Sequence, residues 1–375
     1  MTLSLDAYRQ LFDVTPGKIH LNNAGVSPMI RTAKDALVDA AEVSQQGMHG
    51  IKPLIDGMSD ARETFAALTG GQASDVSFFQ TCAGAISQMA LGLPFRKGDE
   101  IVRWDQEYPS NAYPWHRAAE RVGASVVVVD SEADHSVSTE KLLSHITKKT
   151  RCVAISWVHY STGAVTDLER VADACKANDA WLVVDAIQGL GVVPFDMEAL
   201  GVDAVCGGGQ KWLAGPLGHG FLVVTQALRE QVEPLMYGAM SYGSPDDLVD
   251  TTKALRTDCH RFEPGNPHYL PTMATQAACN SLLELGVNAA GDAARAHSHT
   301  LAEAARSAGL EVLSSYEEGG SPIVTVRSEA GAEALVAKLD AAGVSHSQRA
   351  GGVRLSPHAH NSDGDIAQVA ALLKG

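Results

Sequence analysis

The stretch that decides the fold runs from residue 151 to 186. It reads Arg151-Cys-Val-Ala-Ile-Ser-Trp-Val158, a connecting segment, Asp167-Leu-Glu-Arg-Val-Ala-Asp-Ala-Cys-Lys-Ala-Asn178, and then Trp181-Leu-Val-Val-Asp185-Ala186. The outer runs are apolar and rich in β-branched residues, without the polar alternation of a half-exposed sheet, as in strands covered on both faces. Between them Leu168, Val171, Ala172 and Cys175 recur on one helical face, and Asp167 is placed to cap the first turn. This is a strand–helix–strand unit. The same alternation extends outward, with strands predicted at Val76–Gln80, Glu100–Trp104, Ser125–Asp130 and Gly220–Val224 and helices at 29–46 and 54–69. An α/β fold follows, with a mostly parallel sheet and helices on both faces.

After Val224 the alternation loosens. Residues 236–270 are rich in Gly, Pro, Asp and Tyr and read as loops. Helices are predicted at 271–285 and 292–308, and strands Ile323–Arg327 and Val353–Ser356 bracket a helix at 332–342. The expected division is an N-terminal segment, 1–27, contributing to the small domain and the substrate side, a large domain, 28–264, and a small C-terminal α+β domain, 265–375. A chain of 375 residues suits two domains.

With 45% hydrophobic and 19% charged residues the composition is that of a soluble globular protein. A net charge of −15 argues against nucleic acid or an anionic membrane as partner, since both would repel it. No run approaches the roughly 18 apolar residues of a membrane span. The six cysteines are widely and irregularly spaced, resembling neither a disulfide framework nor a zinc site, and no signal-peptide pattern opens the chain. A cytoplasmic location is expected.

Lys211 is the candidate for chemistry. From Ala204 to Gln226 it is the only Lys, Arg, Asp or Glu, and it follows an apolar run, Asp203-Ala-Val-Cys-Gly-Gly-Gly, that reads as a buried strand entering a glycine turn. A lysine desolvated in that way loses pKa and gains nucleophilic amine, which Schiff-base chemistry requires. The alternative is an ordinary solvated lysine. Asp185 ends an apolar strand, where open α/β sheets bind ligands; the alternative is a helix cap. The two are 26 positions apart, room for a short helix and one more strand, so both emerge at one sheet edge. Thr81-Cys82-Ala83-Gly84-Ala85 joins a strand to a helix, a place where free N–H groups can hold phosphate.

Taken together these segments resemble the class V aminotransferase group of fold-type I pyridoxal-phosphate enzymes, which includes cysteine desulfurases and isopenicillin-N-epimerase-like proteins. Seven motifs stand in family order: His20-Leu-Asn-Asn-Ala-Gly, Thr81–Gly84, Glu107-Tyr108-Pro-Ser-Asn, Val184-Asp185-Ala-Ile-Gln188, Gln210-Lys211-Trp212, Arg261-Phe-Glu-Pro-Gly265-Asn266 and Val353-Arg354-Leu-Ser356. The resemblance implies a cofactor, pyridoxal 5'-phosphate, bound to Lys211 as a Schiff base, with Lys211 also moving the Cα proton of an amino-acid substrate. It further implies that Asp185 pairs with the pyridine nitrogen, Gln188 reaches the ring hydroxyl and Tyr108 stacks on the ring. Cys82, Ala83, Gly84 and Gln210 would hold phosphate, with Asn266 from a second subunit of a homodimer sharing its active sites. Asn23 and Arg354 would bind substrate.

Departures from the family pattern bear on the reaction. Persulfide-forming members carry a cysteine on the loop before the position of Arg354; here that loop is Ser345-His-Ser-Gln-Arg349-Ala-Gly-Gly, and no cysteine follows Cys279. Desulfuration through a cysteine persulfide is therefore not expected. Transamination is expected because it demands no additional residue, with epimerisation, β-elimination of a C–S bond, or a non-catalytic binding protein as alternatives. His159 is a candidate second acid–base group, or else a structural hydrogen-bonder. His358 and His360 read as a solvated loop, His297 and His299 as surface, and no metal site is expected.

Overall fold

The computed structural model describes residues 3–243, 249–314 and 320–374. An N-terminal arm carries α1 (Leu5–Arg9), β1 (Ile19–His20), α2 (Arg31–Ser44) and α3 (Ile51–Thr69). The strands that follow are β2 (Val76–Phe79), β3 (Glu100–Trp104), β4 (Ser125–Val129), β5 (Thr150–Ser156), β6 (Trp181–Asp185), β7 (Ala204–Gly208) and β8 (Gly220–Val224). Interspersed are α4 (Cys82–Gly92), α5 (Tyr113–Val122), α6 (Thr139–Ser144) and α7 (Leu168–Asn178), with α8 (Gln226–Arg229) after β8. Helices α9 (Tyr269–Leu285) and α10 (Val287–Ser307) lead to β9 (Glu311–Val312) and β10 (Val324–Arg327). The chain then forms α11 (Glu333–Ala341), β11 (Val344–Ser345), β12 (Ser347–Arg349), β13 (Gly352–Leu355) and α12 (Asp363–Lys374). Part of the expected loop at 236–270, residues 244–248, lies outside the described residues.

The deciding stretch folds as read. Asp167 Oδ1 accepts from the N–H of Arg170, α7 ends where Asp179 turns left-handed at φ 59°, and β5 and β6 run parallel with Ala154 opposite Val183. The seven strands lie in the order β2-β8-β7-β6-β5-β3-β4, with β8 antiparallel to both neighbours and the remaining pairs parallel. The missing polar alternation has a direct cause. Val153 and Ile155 pack with Leu168 and Val171 of α7, whereas Cys152 and Ala154 pack on the other face with Ile86 and Met89 of α4 and Trp115 of α5. Each fully buried Val or Ile contributes about 1.5–3 kcal/mol.

A second body forms around a four-stranded sheet, β12-β13-β10-β9. Its core joins Leu301 and Ala305 of α10 to Val326, Val353, Ile366 and Val369. The N-terminal arm reaches this core through Ile19 and Leu21, and β1 pairs parallel with β11. The expected division at 265 falls ahead of α9, whose Ala274, Ala278, Cys279 and Leu282 lie in the core of the large sheet against α2 and α3. Two histidine expectations are corrected. His358 and His360 are buried, their rings 5.5 Å apart, with His358 also stacked 5.8 Å from Trp212 and His360 4.5 Å from Phe12. His297 is buried on α10, its Nε2 3.2 Å from Asp363 Oδ1; His299 is exposed. Aromatic faces and a carboxylate, invisible at the level of local spacing, drew these rings inward. Among the described residues no helix is long and apolar enough to cross a membrane.

Candidate active site

The carboxyl ends of the parallel strands converge on one cavity of roughly 350 Å³. Asp185 closes β6, Lys211 follows the end of β7, Tyr108 follows β3, Tyr160 follows β5, and Thr81 joins β2 to α4. Arg354 enters from β13 of the second body, so the cavity is built between the two sheets. The short helix expected between Asp185 and Lys211 is absent among the described residues: 186–203 makes turns only, and β7 follows directly as the parallel neighbour of β6. The spacing still brings both side chains to one edge.

Charge is concentrated here. Burial raises the Asp185 carboxyl above its ordinary range, against one hydrogen bond from Ile187 N–H at 3.1 Å and the attraction of Lys211. Burial lowers Lys211 to about 8, with Arg354 and Arg349 pushing the same way and Asp185 opposing. Near physiological pH the amine is still mostly protonated, but its neutral, nucleophilic share is far larger than an ordinary lysine's. Nζ lies 5.6 Å from the centre of the Tyr108 ring. Arg354 is buried; Nη1 donates to Tyr160 O and Nη2 to Asn22 Oδ1 at 3.2 Å, while Nε has no partner. Those two anchors fix the guanidinium plane and leave its other N–H groups for a ligand.

The phosphate end is equally local in origin. Thr81 caps α4 by accepting the Gly84 N–H at 3.0 Å, and the first N–H groups of a helix, here those of Cys82 and Ala83, lack intrahelical acceptors. Cys82, Ala83 and Gln210 line the cavity; Gly84, whose N–H serves the cap, does not. β8 packs tightly beneath this turn: a Cβ at Gly220 would run into the backbone of Thr81 and Cys82. Gln188 lines the cavity with its amide already oriented, Nε2 donating to Ala24 O and Oε1 accepting from Trp212 Nε1, both at 3.0 Å.

Two expected residues, Asn23 and His159, stand outside the cavity lining. Asn23 is wholly buried behind the cavity wall, its Nδ2 donating to Ser356 O at 2.8 Å and its Oδ1 accepting from Ser27 Oγ at 2.8 Å. Its neighbour Asn22 is the one that touches Arg354. His159 is buried against the edge of Trp104 at 5.9 Å and does not line the cavity; Tyr160, next in the chain, does. Burial drops His159 to about 4, so it is a neutral ring. Asn266 is exposed on a separate groove that reaches Thr81 and Gly84 from the far side. Sequence reasoning also missed Glu107 as a buried brace. Its carboxylate accepts from Ser156 N–H at 2.7 Å and Asn111 Nδ2 at 2.8 Å, and burial raises it to about 7, tying the Tyr108 loop to β5. No local signal sets it apart, since Asp105 and Gln106 immediately precede it.

These residues fit pyridoxal phosphate. A poised amine, a buried acid at the strand end and helix N–H groups without intrahelical acceptors match the aldehyde, ring nitrogen and phosphate in turn. The model for the family described as Aminotransferase class-V matches residues 21–359. The chain is 26% identical over 358 residues, 95% of its length and 94% of the relative's, to YcbU of Bacillus subtilis, named as an uncharacterized aminotransferase. It is 27% identical over 334 residues, 83% and 77% of the two chains, to a probable cysteine desulfurase of Streptomyces coelicolor. The solved cysteine desulfurase of Thermococcus onnurineus shares the fold at TM-score 0.90 and 20% identity, over 98% of this chain and 97% of that one. The chain accordingly belongs to the class V aminotransferase family and is a pyridoxal-phosphate-dependent enzyme of fold type I.

Proposed function

We propose that this enzyme transaminates an α-amino acid, with Lys211 Nζ carrying the proton that leaves Cα. The observation that carries the reading is the pairing of Lys211, lowered to about 8, with Arg354 in a cavity whose lining thiol is disabled. Cys82 Sγ lies 3.6 Å from Asp185 Oδ1, and burial together with that carboxylate holds the thiol well above its ordinary pKa. A persulfide-forming reaction needs a thiolate, and the loop 345–352 before Arg354 contains no cysteine. Pyridoxal phosphate, when bound, supplies the electron sink for the Cα carbanion. Arg354 would take the substrate carboxylate through two parallel N–H bonds. Tyr108 would cover one ring face, and Gln188 has one N–H left for the ring hydroxyl. With His159 turned away, epimerisation lacks that acid–base group on the second face.

Incubating the loaded enzyme with an amino-acid panel tests this. The keto acid is expected in an amount equal to the enzyme and no more, until an acceptor keto acid is added and turnover becomes continuous. Continuous release of pyruvate with ammonia or sulfide, without acceptor, would overturn the transaminase reading in favour of β-elimination.

We also infer that two copies pair so that Asn266 of one completes the phosphate site of the other. A groove of about 600 Å³ lined by Phe79, Leu235, Met236, Pro264 and Asn266 adjoins Thr81, and Met236 is 59% exposed at its rim. Apolar side chains left bare beside a phosphate site are suited to a second copy. Sedimentation of the wild type should give the mass of two chains, and Met236→Asp should give one chain with weakened cofactor retention. A wild-type monomer that retains cofactor would refute the pairing.

A further inference from the structure

The β12–β13 hairpin carries a second cavity-facing arginine that transamination itself does not need. Arg349 pairs with Gly352 and Ser347 with Arg354, so Arg349 and Arg354 are diagonal neighbours on one face of the hairpin. Their separation is set by a tight turn in which both Ala350 and Gly351 have positive φ, 51° and 71°. Opposite Arg349, Gly352 admits no side chain, since a Cβ there would strike the carbonyl of Val326. The two guanidinium groups are thus held together by backbone geometry.

Tyr160 links them further. Its carbonyl oxygen accepts from Arg354, and its ring lies 5.9 Å from the Arg349 guanidinium carbon. Arg349 Nη1 donates to Gln348 O at 2.7 Å, but the buried Nε of each arginine has no partner. Both arginines and Lys211 line the cavity, and the one carboxylate among its described lining residues is Asp185. Burial lowers Arg354 to about 10, and repulsion from the neighbouring Arg349 adds to it. The cofactor phosphate belongs at the Thr81–Ala83 end, on the other body. A substrate carboxylate answers Arg354 and leaves Arg349 unanswered.

We infer that the substrate is an α-amino acid whose side chain ends in a second carboxylate, with Arg349 gripping that group while Arg354 takes the α-carboxylate. The inference rests on the amino-acid reading of this site. Strand geometry separates diagonal Cβ atoms by about 7–8 Å, a span that two long guanidinium arms can narrow onto a short diacid.

Titration calorimetry of the pyridoxal-phosphate-loaded enzyme with succinate, glutarate and butyrate decides it, because none of these acids can react. One dicarboxylate should bind about 10- to 100-fold more tightly than butyrate, the value of a charged hydrogen-bonded contact. Arg349→Gln should erase that advantage while weakening butyrate far less, and Arg349→Lys should restore part of it. Equal affinities in the wild type overturn the inference. So does an equal loss for all three acids in Arg349→Gln, which would make Arg349 a wall of the pocket only. If a dicarboxylate is preferred but no acidic amino acid yields keto acid, the transaminase reading fails and the second anion site stands.

Discussion

Lys211→Ala is expected to reduce keto-acid formation by roughly 10,000-fold, the upper end of what one positioned acid–base group contributes, because the same amine also anchors the cofactor. The fold should survive. Among the described residues Lys211 Nζ makes no hydrogen bond, and removing a partly charged amine from a buried place relieves desolvation rather than breaking a contact. Apo-protein of the variant should therefore melt no lower than wild type. The pH dependence has a definite sign: with Lys211 lowered to about 8, uptake of added pyridoxal phosphate by wild-type apo-protein should accelerate as pH rises and level off above about 8. An ordinary lysine would keep accelerating to roughly 10. Activity of Lys211→Ala within tenfold of wild type would refute the assignment.

Lys211 was legible in the sequence because isolation among apolar residues and glycines is itself a one-dimensional signal. The same holds for β5, α7 and β6, where period and capping agree. What stayed hidden depends on which way adjacent residues point. Asn22 and Asn23 are indistinguishable in sequence, yet one reaches Arg354 and the other is consumed by Ser356 and Ser27. His159 and Tyr160 differ in the same way, since the chain leaves the regular pleat of β5 just before them. His358 and His360 read as solvated because polar residues in a loop usually are; their burial comes from Trp212 and Phe12, 146 and 348 positions away in the chain (358 − 212 and 360 − 12). Arg349 was visible only as one residue of a loop that lacks a cysteine. Its meaning came from the register of β12 against β13, which no local pattern encodes.

Asp185→Asn separates catalysis from stability more cleanly than any other change in the cavity. Asparagine keeps the shape and can still accept the Ile187 N–H, but it cannot hold a proton on the cofactor's ring nitrogen by charge. Keto-acid formation should fall about 100- to 1,000-fold, as for loss of one preorganised electrostatic contact. Stability should move the other way. Burial raises the folded-state pKa of Asp185 above its unfolded value, so the folded chain binds more protons and loses stability as pH rises through that interval. Above it the penalty of the buried charge is fully present, and Asn removes that penalty. Apo-protein carrying Asp185→Asn is thus expected to melt at or above the wild-type temperature near neutral pH, and to lose this advantage as pH falls and the wild-type carboxyl protonates. A variant that is inactive because it is destabilised would contradict this account, since it would make Asp185 a structural cap. An active, stabilised variant would remove it from the chemistry. The combination of a stabilised apo-protein and a crippled enzyme is what a carboxylate kept for the cofactor must give.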